Sequence, residues 1–76
     1  MTPNEIDQAI LAVSESGWRK VAMIILKAAD RLGPDLPEGD PGYDMIAQRV
    51  EALVAAGRLV SQGNLSRWRH SEVRLP

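Results

Sequence analysis

Apolar residues return along this chain with two different periods. From Tyr43 to Val54 they fall at Tyr43, Ile46, Ala47, Val50, Leu53 and Val54, the spacing that gathers side chains on one face of a helix. Gly57 interrupts the pattern, and a glycine there can take the left-handed conformation that lets the last helical carbonyls find donors. Beyond it, Arg58-Leu59-Val60-Ser61 reads as a strand. Ser71-Glu72-Val73-Arg74-Leu75 reads as a second, with Val73 and Leu75 inward and Glu72 and Arg74 outward. Trp68 is out of phase with Val73, which predicts a bulge or irregular loop from roughly Gln62 to His70, with Trp68 folded back over the edge of the core.

The first half of the chain is helical in period. Thr2-Pro3-Asn4-Glu5 forms a capping box, with Thr2 as N-cap, proline at the first helical position and Glu5 reaching back. Met1 and Ile6 occupy the positions of a hydrophobic staple. Ile6, Ala9, Ile10 and Val13 then predict a helix over about 3–15, ended by Gly17, with Glu5, Asp7 and Gln8 left in water. A second helix is expected over 18–32, with Trp18, Val21, Ala22, Ile25, Ala29 and Leu32 on one face and Gly33-Pro34 as its stop. Its run from Val21 to Leu26 is apolar all round, so this helix is the expected centre of the fold. Proline, glycine and acid surround Leu36 between Gly33 and Gly42, which predicts a loop over 33–40. Asp40-Pro41 then caps a third helix over 41–56.

At 76 residues the chain is expected to form one domain, residues 1–76, near the size at which a core alone holds a fold. The chain has no cysteine, which excludes disulfides, thiolate metal sites and cysteine nucleophiles. A single histidine makes no zinc site, and neither a metal nor a cofactor is expected. No stretch is long enough to span a bilayer, and MTPNEID lacks the basic and apolar regions of a secretory signal, so a cytoplasmic location is the expectation. The net charge of −1 provides no overall field to hold the protein on nucleic acid. The distribution is uneven, however. Basic residues concentrate in 18–32 and again in the C-terminal hairpin over 58–75.

Candidate chemistry follows that distribution. Arg58, Arg67, Arg69, His70 and Arg74, with Trp68 among them, form a candidate nucleic-acid-binding set that would follow a phosphate backbone or stack on an exposed base. The alternative is that these arginines solvate the hairpin and pair with neighbouring acids while Trp68 closes the core. His70 is the one side chain suited to base catalysis near neutral pH, with Ser66, Ser71 and Glu72 near it in sequence. No triad or metal spacing surrounds it, so no enzyme activity is expected. Arg49 lies beside an apolar stripe, where it either anchors an anion or pairs with Asp30 or Glu72. The apolar excess of the second helix leaves Met23 and Ile24 as a candidate protein interface, for a partner or a homodimer, unless the first helix and the hairpin cover both sides.

Several of these segments together resemble a family of small bacterial domains of unknown function that occur alone or as C-terminal modules. The segments are Trp18, the pattern from Tyr43-Asp44 through Ile46-Ala47, Arg49-Val50, Leu53-Val54 and Gly57-Arg58-Leu59, then Gly63-Asn64-Leu65 and the closing Ser71-Glu72-Val73-Arg74-Leu75. The resemblance runs from about Trp18 to Leu75 and implies no activity. The segment from Ile46 to Leu59 also resembles winged-helix transcription regulators. It differs from them in the length of the loop before the third helix and in the acids Asp44 and Glu51 on that helix. The expectation is therefore an α+β domain, a three-helix bundle with a C-terminal antiparallel hairpin, winged-helix-like. Its expected role is that of a non-catalytic protein-interaction module, with nucleic-acid binding through the basic hairpin as the alternative.

Overall fold

The computed structural model describes residues 1–76. Three helices and a three-stranded antiparallel sheet form an α+β fold. The elements are α1 (Pro3–Val13), β1 (Arg19–Lys20), α2 (Val21–Leu32), α3 (Asp40–Ala55), β2 (Val60–Gly63) and β3 (Ser71–Arg74), with one 3-10 turn at Gly33–Asp35 and another at Trp68–His70. Strand order is β1-β3-β2. α2 is the central helix, packed against α1, α3 and the sheet.

The capping box at Thr2 and Glu5 is formed as the sequence predicts. α1 ends earlier than expected, at Ser14 rather than Gly17. The Ser14 hydroxyl donates to the Ile10 carbonyl at 2.8 Å and its backbone N–H to Leu11, while its backbone is already extended. A hydroxyl that satisfies a helical carbonyl locally removes the need for a glycine stop. α2 also differs at its start. Trp18 does not open it; Arg19 and Lys20 pair with Val73 and Glu72 of β3, and the helix begins at Val21. Strand pairing overrides a local sequence that is compatible with helix, because β3 has a second edge whose backbone groups need partners. The buried face of α2 is Val21, Ile24, Ile25 and Ala28, with Ala22, Ala29 and Leu32 only partly covered.

The loop after α2 is ordered by one apolar side chain. Gly33 (φ 65°) stops the helix, a 3-10 turn follows, and Leu36 enters the core. Gly42 packs against this turn so closely that a Cβ there would collide with the Pro37 carbonyl oxygen. The N-cap of α3 is Gly39, so Asp40 lies in the first turn, where its charge suits the helix dipole, and Pro41 follows.

Ile46, Val50 and Leu53 of α3 are buried as the period predicts. At its end the Gly57 N–H donates to Val54 at 3.0 Å and the Arg58 N–H to Leu53 at 2.9 Å, with Gly57 at φ 77°. This is a Schellman closure. Leu59, 2% exposed, drops into the core directly after it, and the strand starts two residues later than expected, at Val60. Register then runs from Val60 opposite Arg74 to Gly63 opposite Ser71. Val73 and Ser71 face the core; Glu72 and Arg74 face out, while Leu75 is half-buried. The irregular segment is Asn64 to His70, and Trp68 packs back on the core as expected.

The Gly57 conformation makes a simple prediction. A Cβ there meets nothing within 4 Å, so the cost of a substitution is conformational. Gly57→Ala is expected to lower unfolding free energy by about 1 kcal/mol and Gly57→Asn by less, measured by urea denaturation.

Candidate functional site

The six candidate nucleic-acid-binding residues do not form one site. Four of them, Arg67, Trp68, Arg69 and His70, line an open hollow of about 230 Å³ together with Ser66. The loop that carries them is held by Asn64. Its side-chain oxygen accepts from the Ser66 N–H at 3.0 Å and the Ser66 hydroxyl at 2.7 Å, and its carbonyl from the Arg67 N–H at 2.9 Å. Asparagine stabilises a turn in this way by imitating a backbone acceptor. The Arg69 guanidinium lies over the Trp68 ring, 4.2 Å from its centroid. One face of the indole is thereby covered by a cation, and the ring also packs on the core.

Arg74 and Arg58 stand apart from this group. Arg74 sits on the outer face of the sheet, 5.1 Å from the centroid of Trp18, and pairs with Val60 at the end of the hairpin away from the loop. Arg58 precedes that same end. Between Arg74 and the loop lies Glu72, whose carboxylate accepts from Gln62 at 2.7 Å. An acid therefore divides the cations along β3.

His70 is exposed. The Ser66 hydroxyl is engaged by Asn64, and that of Ser71 is directed at the Trp68 carbonyl, so neither is paired with the imidazole. No group of three or more His, Asp or Glu side chains is placed to hold a metal ion, and no helix is long and apolar enough to cross a membrane.

On α2 the exposed apolar residues are Met23, at 49% exposure, and Leu26, at 52%. Ile24 is 1% exposed and belongs to the core, which corrects its place in the candidate interface. The helical period explains the change: Ile24 lies three residues after Val21 and four before Ala28, whereas Met23 and Leu26 share the opposite side. Leu26 was hidden from sequence reasoning inside a run that is apolar on every face.

Arg49 pairs with neither Asp30 nor Glu72. Its guanidinium donates to both carboxylate oxygens of Asp7 at 2.8 Å, joining α3 to α1. Asp7 is thus buried, with 8% exposure, rather than left in water. The hydrogen bonds to Asp7 outweigh the opposing effect of burial and, with the charge of Asp7 adding to them, hold Arg49 above its ordinary pKa. A raised folded-state value for a cation is stabilising below the unfolded value and is lost only as pH rises through the folded one. For arginine that window is strongly alkaline, so the contribution of Arg49 is constant across physiological pH.

A further groove runs between α3 and the loop, of about 320 Å³, lined by Asp44, Ala47, Gln48, Glu51, Leu65, Ser66 and Trp68. Trp68 lines both this groove and the basic hollow. The acids of α3 were legible in the sequence; their meeting with Leu65 and Trp68 was not, because it depends on the path of an irregular loop.

No family model, no curated protein and no solved structure matches this chain.

The ion pair is open to a direct test. Asp7→Asn and Arg49→Ala are each expected to lower the thermal midpoint, and the double variant to lose less than the two single losses combined. Arg49→Lys is expected to recover only part of the loss, since an ammonium cannot make the two parallel bonds.

Proposed function

We propose that this chain is a non-catalytic protein-interaction module of winged-helix-like build. The order helix, short strand, helix, helix, hairpin, with the short strand added to the hairpin as its third member, supports the winged-helix part. The resemblance to bacterial domains of unknown function is consistent with a module of this kind. The observation that carries the interaction reading is the pair Met23 and Leu26, about half exposed and one helical turn apart on the most apolar segment of the chain. Large apolar side chains in that arrangement are what a protein surface covers. The partner is another polypeptide or a second copy of this chain.

A photo-cross-linking residue placed at position 26 tests this in the native host. A discrete adduct is expected from position 26 and none from the exposed position 55 at the end of α3. Absence of an adduct from position 26 would overturn the reading.

A second reading, nucleic-acid binding through the hairpin loop, is supported by the gathering of Arg67, Trp68, Arg69 and His70 around one hollow. Against it stand the interruption at Glu72 and the acids of α3, which repel phosphate. Under this reading, affinity for an oligonucleotide falls steeply as salt rises, and replacing Arg67 and Arg69 with alanine lowers the slope of log K against log salt by about 2. Absence of binding at low salt removes it.

A further inference from the structure

We infer that the exposed face of α2 pairs with the same face of a second copy of this chain, the two helices antiparallel about a two-fold axis near Leu26. This rests on the interaction reading above and names its partner. Met23, Leu26 and Asp30 share one side of the helix by its period, and all three are exposed. Along that side the chemistry is sorted by end. Lys20, the N-cap, stands at the start, Met23 and Leu26 follow, and Asp30 lies in the last turn. Lys20 and Asp30 are exposed, and neither belongs to an ion pair within the chain. Lys27 and Arg31 follow one another along one flank, and Arg31 lines a hollow against α1.

On the other flank, at the Asp30 end, opens a hollow of about 400 Å³ lined in part by Ala29, Asp30, Leu36, Glu38 and Tyr43. No cation lines it. A cation and apolar side chains at one end, with an acidic hollow at the other, match an inverted copy of the same face. Inversion about Leu26 brings Met23 opposite Ala29 at the rim of the hollow and Lys20 within one turn of Asp30, and each contact is made twice. The two Leu26 side chains meet at the axis. A parallel pair would instead set Lys20 against Lys20, and a segment of uniform charge would match only one end. With 12 residues α2 is about 18 Å long, so its face buries less than the roughly 800 Å² per partner of a standard interface, and pairing is reversible.

Sedimentation equilibrium of the whole chain, from micromolar to millimolar concentration, is expected to show monomer and dimer in exchange. Lys20→Glu and Asp30→Lys each set like charges against one another, and each is expected to weaken pairing by about tenfold. An equimolar mixture of the two variants restores both opposite-charge contacts and is expected to recover the affinity. Leu26→Glu is expected to abolish pairing. Thermal melts establish that each variant folds. Lys20 faces Glu72 across the sheet, so if Lys20→Glu melts early, Asp30→Lys and Leu26→Glu decide the matter by themselves. A monomer at about 1 mM, pairing that Leu26→Glu leaves intact, or a mixture no tighter than its folded components would each overturn the inference. The cross-link from position 26 separates this outcome from the reading beneath it. For a monomeric chain, an adduct with a different polypeptide leaves the interaction reading standing, and no adduct removes it.

Discussion

The chain reversal at Gly57 governs the rest of the molecule. Two backbone donors close the end of α3, and Leu59 is delivered into the core within two residues of that closure. From there β2 has only one direction in which to run, and β3 returns along it with Val73 fully buried. β3 is the middle strand, so its other edge recruits Arg19 and Lys20, and that pairing in turn sets where α2 begins. The backbone bond from Leu75 to the Glu15 carbonyl, 2.8 Å, fastens the end of β3 to the segment after α1. A turn with no side chain at its centre thus determines the position of segments forty residues away from it.

Polar contacts fix how the helices meet. The buried side chains are overwhelmingly aliphatic, and aliphatic packing tolerates some sliding of one helix on another. The Asp7–Arg49 pair does not, because two parallel hydrogen bonds require one separation and one orientation of α1 relative to α3. Every buried side-chain polar atom has a partner. Gly42 adds a steric constraint of the same kind, since the backbone of the preceding loop touches α3 where any larger residue would displace it.

Local chemistry was read correctly from sequence where the residue itself decides the outcome. The capping box at Thr2, the stops at Gly33 and Gly57, the apolar face of α3 and the inward position of Val73 all belong to this class. Features decided by a distant partner were not legible. Arg19 and Lys20 join a strand because β3 passes beside them, and Asp7 is buried because Arg49 reaches it across forty-two positions. Within the candidate sites, composition does not separate the exposed from the buried half of the run from Val21 to Leu26, so neither the burial of Ile24 nor the exposure of Leu26 is legible there. The clustering of Arg67, Trp68, Arg69 and His70 followed from their adjacency, whereas the separation of Arg58 and Arg74 from them required the hairpin register.

The two outer strands differ from the middle one in a way that matters for crowded solutions. β1 is only two residues long and both are cations, while β2 is four residues long and closes on a glycine at φ 83°. Neither offers a neighbouring molecule a long, flat row of free amides and carbonyls to extend. Open-ended stacking of sheets into fibres is thereby discouraged at both margins, and contacts with other molecules are left to the helices and the loop.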